Sequence, residues 1–511
     1  MHTTAAKMYA KLETRRRPFL DRARDCSRLT IPSVMPAEMH SGADTFPQPY
    51  NSTGSRGCTH LASRILMTLL PPGGRFFRLQ YDSVELAKAT GMDDLLGEMD
   101  SALALIEEQV HQEVDASNFR IQLFQVLRHL IVTGNSCLYL SPSGTAQVYH
   151  LNQYVCDRAA DGTLLTLVIK EDVAYEALTD ELKAYCKSGR KEVPVYTCVK
   201  LQEGGKYMAF QEMYGNAIPG TEGEYDAETL PWIPLRFIRA NSAESMGRSL
   251  CEEHLGDLRV AESISQSVTE AAAISARTIF LVSGTGTTRA RALSKAQNGA
   301  IIEGNAGDVS VLQTAKQNDL QIAYQVLRSA EERLAQAFML TAGLIRDSER
   351  TTAREVELVA QQLEETLGGV YSNLAQELMQ PIVKILLSRM SQAGKMPSLP
   401  PNLVKAQVIT GLPNLGRQAD LQRLAMFVQN AAQTLGPQAV DRYIQVPEYL
   451  RRSAAALSIN AAGLVRNEEE VSQMDQAAQQ QQLTGQLGPS VMSNFKEEIS
   501  AQLQPPADEN G

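Results

Sequence analysis

SLCEEHLGDLRVAESISQSVTEAA (Ser249–Ala272), LQIAYQVLRSAEERLAQAF (Leu320–Phe338) and VELVAQQLEETLGGVYSNLAQEL (Val356–Leu378) are three successive segments with one pattern. In the first, Leu250, His254, Leu258, Ala261, Ile264, Val268 and Ala272 recur at three- and four-residue steps. That period predicts a helix with one mostly apolar stripe. The second segment repeats the stripe through Leu320, Val326, Leu327, Ala330, Leu334, Ala337 and Phe338. The third carries it through Val356, Val359, Leu363, Leu367, Val370, Leu374 and Leu378, interrupted by Gly368-Gly369 and then Pro381. An irregular excursion, residues 284–317, separates the first two and holds GTGTT, Arg289, Arg291, Lys295 and a short Val309-Val311-Leu312 run. TAGLIRDSERTTARE (Thr341–Glu355) separates the last two, and Thr352 with Glu355 has the spacing of a capping box. Helices of roughly 25–35 residues extend about 35–50 Å. Stripes that long need partners along their length, from this chain or from neighbouring subunits. The expectation is a helical stem with a compact tip, built to pack side by side as an assembly device.

Working outward, the composition sets bounds. A chain of 511 residues exceeds one core and predicts two to four structural regions. An apolar fraction of 43% and a charged fraction of 21% are ordinary for a globular protein. A net charge of −10 argues against coating nucleic acid by general attraction, which needs excess Lys and Arg. It permits DNA that passes without being gripped, since a weakly acidic wall reduces sticking. Seven scattered cysteines without CxxC pairing read as reduced intracellular thiols. With no signal-peptide pattern and no apolar run long enough to span a bilayer, the chain is expected to be soluble, made in a cytoplasm and free of membrane partners.

Upstream of the stem, residues 1–30 predict a basic amphipathic helix. Its Arg15-Arg16-Arg17 triplet reads as a solvated helix end, with a nucleic-acid patch as the alternative. A helix is expected over Gly57–Leu70, a strand at RFFRLQY, and two helices over 92–134 closed by Gly134-Asn135. From Ser136 to Ala240 the chain turns to short strands: CLYLS, AQVYHL, YVCDR, LLTLVIK, VPVYTCVKL, KYMAFQEMYG and WIPLRFIR. Downstream, residues 416–467 predict several helices. The Gln/Glu/Ala-rich end, residues 468–511, predicts an exposed helix or disorder.

No catalytic chemistry is visible. GTGTT lacks the Lys-Ser/Thr of a phosphate loop and follows a helix, so it reads as a tip turn. Cys251 with His254 and Cys58 with His60 fall short of a four-ligand zinc set, and His254 on the stripe reads as a packed, hydrogen-bonded core residue. Carboxylate pairs such as Glu252-Glu253 read as solvated faces. No cofactor, metal or enzyme activity is expected. Arg346, Arg350 and Arg354, among Asp347, Glu349 and Glu355, mark the most informative polar loop; copied around an axis, they become a ring.

The chain resembles the portal, or head-to-tail connector, proteins of short-tailed double-stranded DNA bacteriophages. The resemblance rests on GSRGCTHLASRILMTLLPPGGRFFRL (Gly54–Leu79), LRHLIVTGNSCLYL (Leu127–Leu140), SMGRSLCEEHLGDLRVAE (Ser245–Glu262), LSKAQNGAII (Leu293–Ile302) and ERTTAREVELVAQQLEETLGGVYSNLAQELMQP (Glu349–Pro381). It implies a predominantly helical α+β fold. A wing at 1–248 carries a β-rich module at about 136–240. Stem helices follow at 249–283 and 318–341, around a clip at 284–317. Then come a channel loop at 342–352, a long kinked wing helix and linker at 353–415, a crown at 416–467 and a tail at 468–511. It implies a dodecameric ring at one capsid vertex of the virion, assembled in the bacterial host cytoplasm. Double-stranded DNA would cross it during packaging and ejection, with ATP hydrolysis left to a separate terminase. The implied partners are the terminase large subunit, the tail adaptor, and scaffold, major capsid and internal core proteins. Arg346, Arg350 and Arg354 are expected to touch the DNA backbone or hold the loop's own geometry, and Arg289, Arg291 and Lys295 to support clip contacts with motor or adaptor. The competing reading is a helical scaffold without a channel.

Overall fold

The computed structural model describes residues 4–37, 40, 43–71, 76–80, 94–178, 180–183, 186, 191–275, 279–297, 299–312, 317–340, 353–394, 407–410, 417–436, 443, 444, 446, 449, 450 and 453. The fold mixes helices and sheets, and the chain divides into two compact units. One holds residues 1–78, 109–396 and 407–415; the other holds 79–108, 397–406 and 416–511.

In the first unit, α1 (Ala5–Leu29) buries Tyr9, Leu12, Arg16, Leu20, Ala23 and Cys26 at helical spacing. α2 (Thr53–Leu69) begins four residues before the expected Gly57. Two glycines in its first turns read locally as breakers, but tertiary packing requires them. A Cβ at Gly54 would lie 2.8 Å from Leu258, and one at Gly57 would lie 2.6 Å from Phe338. After β1 (Phe77–Gln80) and α3 (Asp94–Ala116) comes α4 (Phe119–Thr133), which ends where Gly134 turns left-handed at φ 76°. All seven strand segments read between Ser136 and Ala240 contain strands. β2 (Asn135–Leu140) pairs with β3 (Ala146–Tyr149) and, later, with β10 (Trp232–Arg236). β4 (Tyr154–Arg158), β5 (Leu164–Ala174), β6 (Glu192–Leu201), β7 (Lys206–Met213) and β8 (Asn216–Ala217) form an antiparallel meander, with β9 (Gly223–Asp226) also on β7.

The two-residue side-chain period divides this meander between two cores. Val155, Val168 and Cys198 pack with Ala5, Tyr9 and Leu12 of α1. Their alternates Tyr154, Leu167, Ile169 and Val199 pack with Leu20, Ala23 and Trp232. The arginine triplet lies inside α1 and not at its end, and it is solvated only in part. Arg16 is buried and donates from one Nη to the carbonyls of Leu151 and Tyr154, 2.8 Å each, while Arg15 pairs with Asp157 at 3.4 Å. Arg15 and Arg17 are exposed, and only Arg16 is buried. The triplet fixes α1 to the turn before β4, because a buried guanidinium needs acceptors and two carbonyls supply them.

His129 of α4 is buried and stacked on His150, with centroids 5.5 Å apart. Burial, then the neighbouring His150 and Arg128, pushes its pKa down to about 3. It therefore folds neutral, whereas the unfolded chain takes up a proton near pH 6.5. Stability is complete above about pH 6.5 and is lost as pH falls toward about 3. Acidification from pH 7 to 5 should cost about 2 kcal/mol at this site. Thermal melts at the two pH values check this, and His129→Leu should reduce the difference.

The third stripe forms a broken helix. α9 (Ala353–Leu367) ends at Gly368 and Gly369, both left-handed at φ 58° and 89°. α10 (Val370–Leu374) runs through a π turn at Ala375–Met379 into α11 (Gln380–Gln392). Pro381 gives the π turn its cause, since its ring crowds the carbonyl four residues back, at Glu377, and one extra residue relieves the clash. Glu364 staples the glycine break, accepting from the Ser372 hydroxyl at 2.7 Å and the Ser372 N–H at 3.0 Å. Glu377 pairs with Arg239 at 2.9 Å and Arg236 at 3.5 Å.

In the second unit, Glu107 of α3 accepts from the Leu79 N–H at 2.8 Å. α12 (Arg417–Leu435) leaves Met426 and Phe427 exposed.

Candidate assembly site

The hairpin is launched from a backbone knot. The Gly134 carbonyl accepts from Phe237 N–H, and Asn135 exchanges hydrogen bonds with both backbone groups of Gly247, at 2.7 and 2.8 Å. Ser249 then caps the next helix, its hydroxyl accepting from Glu252 N–H at 2.9 Å. α5 (Leu250–Glu253) passes through a turn at His254 into α6 (Leu255–Ser275). His254 is half-buried, its ring 6.4 Å from Phe338, so it sits at the margin of the core. The helix expected to reach residue 283 stops at Ser275, and β11 (Ile279–Val282) follows. Its β-branched and aromatic run favours a strand. β11 pairs antiparallel with β12 (Val309–Leu312), closing a ribbon beneath the tip. α8 (Gln317–Ala337) returns against α6.

At the tip, GTGTT folds around one carboxylate. Asp308 accepts from Thr288 N–H at 3.0 Å and from the Thr287 and Thr288 hydroxyls at 3.2 Å. The Thr288 N–H, with those hydroxyls, holds the Asp308 carboxyl below the usual carboxylate range. A Cβ at Gly286 would strike that carboxylate at 2.3 Å, so the glycine is required. The motif binds its own chain. α7 (Ala290–Leu293) presents Arg289, Arg291 and Lys295 together, all exposed, and no ion pair engages them among the described residues.

At the base, Glu262 accepts from the N–H groups of Tyr50 and Asn51, 2.9 Å each. The Asn51 amide donates to Ser265 at 3.0 Å and Glu331 at 2.9 Å, bridging α6 and α8. Arg333 pairs with Asp257 at 2.6 Å, and that hydrogen bond lowers the Asp257 pKa. Just past the end of α8, Met339 is left-handed at φ 56°, and Leu340 N–H is bonded to the Ala335 carbonyl. Arg346 and Arg350 lie outside the described residues. Arg354 falls in the first turn of α9, its side chain also outside them. Sequence reasoning missed Asn51, Glu262, Asp308 and Glu364. Only GTGTT gave a local signal, because the other contacts are long-range or span a break.

Burial falls from base to tip. Leu258, Ala261, Ala330, Leu334 and Phe338 are buried, whereas Ile274 and Ile322 are 61% exposed, Tyr324 59% and Phe280 56%. Ile322 and Val326 share one side of α8, and Tyr324 lies about 200° around from Ile322. Two opposed apolar sides on one rod suit neighbours on both sides. No described helix is long and apolar enough to cross a membrane, and no group of three metal-ligating side chains gathers among the described residues.

The sequence profile described as "Bacteriophage head to tail connecting protein" matches residues 2–465. The chain belongs to that family of bacteriophage head-to-tail connecting proteins. A phage portal role follows from membership. The portal protein of Enterobacteria phage T3 is 36% identical over 477 residues, 91% of this chain and 89% of that protein. That of Escherichia phage T7 is 35% identical over 481 residues, covering 92% and 89%. Among solved structures, the neck of a native gene transfer agent particle has a TM-score of 0.35 at 11% identity, covering 73% of this connector chain and 86% of its own.

Proposed function

We propose that this connector closes into a dodecameric ring at one vertex of a phage head, assembled in the host cytoplasm, and conducts double-stranded DNA in packaging and ejection. The observation that carries the ring is the pair of apolar sides on the outer half of α8. A rotationally closed ring uses a heterologous interface, so each protomer presents two different faces. Family membership supports the placement between head and tail, with scaffold, capsid and internal core proteins on one side and tail components on the other. The role is structural: the chain supplies a channel and a platform, and a separate terminase supplies the ATPase. The lone carboxylate-centred tip motif accords with that division.

In this reading residues 249–283, 284–317 and 318–341 are stem, clip and stem, and residues 342–352 line the channel. Arg346, Arg350 and Arg354 meet DNA phosphates or hold the loop's own shape. Arg289, Arg291 and Lys295 dock the terminase large subunit and then the tail adaptor, using charges with no partner among the described residues. Replacing Arg346, Arg350 and Arg354 with Ala should leave rings intact while packaged DNA falls. Unchanged DNA content and titre would remove them from the mechanism. Charge reversal at Arg289, Arg291 and Lys295 should weaken motor and adaptor binding; unaltered binding of both would displace the docking assignment.

A further inference from the structure

At the hairpin base three helices bring three thiols together: Cys26 from α1, Cys58 from α2 and Cys251 from α5. Cys58 and Cys251 are wholly buried, with sulfurs 3.4 Å apart, although the residues are 193 positions apart in the chain. Cys26 is occupied differently, accepting from the Ser249 hydroxyl at 3.8 Å. Closing 3.4 Å to a disulfide's ~2.05 Å asks for movement of the two side chains of about 1.4 Å. Among the described residues no ion-pairing side chain engages either sulfur, and besides the two other thiols Cys251 meets the Thr30 hydroxyl.

We propose that Cys58 and Cys251 are an oxidisable pair, kept as thiols in the reducing cytoplasm and closed to a disulfide when the particle meets a low-molecular-weight disulfide outside the cell. The occasion rests on the head-to-tail reading; the chemistry does not. One cysteine thiolate attacks the small disulfide and expels one thiolate. The second cysteine then displaces the other, forming the Cys58–Cys251 bond. The two protein sulfurs lose two electrons and two protons, and the small disulfide is reduced to two thiols. Burial pushes the Cys251 thiol well above its ordinary range, so closure is slow. The bond ties α2 to the start of the hairpin and closes a long loop, which restricts the unfolded chain.

The test incubates purified full-length protein with oxidised glutathione and reads intact mass, free thiols after denaturation, and linked peptides. Closure should remove about 2 Da and two thiols of the seven, join the Cys58 and Cys251 peptides, and raise the melting temperature reversibly with reductant. Cys26→Ser should behave like wild type, and Cys58→Ser should block the linkage. Glutathione adducts without an internal bond, or a linkage between other cysteines, would overturn the proposal, and wild-type peptide mapping decides it even where a variant folds poorly. Ring formation scored on the same samples keeps the two readings separate.

Discussion

Ile322→Asp with Val326→Asp is expected to leave a folded protomer that no longer closes into rings. Ile322 is 61% exposed and Val326 43% exposed in the single chain, so the substitutions remove little that the protomer itself uses. Surface changes of this kind usually fall within about 0.5 kcal/mol of wild-type stability. In a ring the same positions meet a neighbour. Each would then lose about 1.5–3 kcal/mol of apolar burial and bring a carboxylate into an apolar contact, which costs more. Those losses recur at every interface. Circular dichroism should show an unchanged fold, while mass photometry should shift from a large closed species to protomers and the melting temperature should fall by the stabilisation that ring contacts give wild type. Tyr324→Asp probes the opposite side of α8 and should act in the same direction. Rings of unchanged size from both variants would place the subunit contact elsewhere.

Gly134→Ala carries the largest expected stability loss. Gly134 is left-handed at φ 76°, and an added Cβ would lie 2.4 Å from the backbone carbonyl carbon of Arg248 and 2.6 Å from Ser249 nitrogen. Neither neighbour is a flexible side-chain end. Accommodating the methyl group would push the hairpin's starting segment away from α4 and β2 and break the Asn135–Gly247 exchange. A loss of about 3–5 kcal/mol is expected, combining backbone strain with the displaced knot. Gly220→Ala is the matched control: φ is 77°, and nothing lies within 4 Å of the added Cβ. It should cost only about 1–2 kcal/mol for the left-handed conformation. Melting temperatures of the two variants, side by side, separate strain from contact. Equal losses would show that the close approach to Arg248 contributes nothing.

The elements legible in the sequence were those whose signal is local. The stripe through Leu258, Ala261, Ala330 and Leu334 is a one-dimensional pattern, and it is buried as its period implies. The strands of the β-rich stretch alternate and are separated by turns, so their existence was readable. Their division between two cores was not, because that depends on α1, more than a hundred residues away. α2 begins early because Gly54 and Gly57 answer to Leu258 and Phe338, which no local rule can supply. The hairpin's first helix stops short because Ile279–Val282 finds Val309–Leu312 as a partner. Arg16 could not be told from Arg17 by composition; only the facing carbonyls of Leu151 and Tyr154 separate them. The candidate site divides the same way. GTGTT announced a turn, whereas Asn51 and Glu262 had no signal, since their partners are more than two hundred positions distant.

The most direct test of the central claim is electron microscopy of the purified protein, with top views classified by rotational symmetry. The account predicts closed rings of about a dozen subunits around a hole that admits a duplex, held by heterologous contacts along α8. A protomer or two-fold dimer that persists across salt and concentration, and with assembly partners supplied, would contradict it.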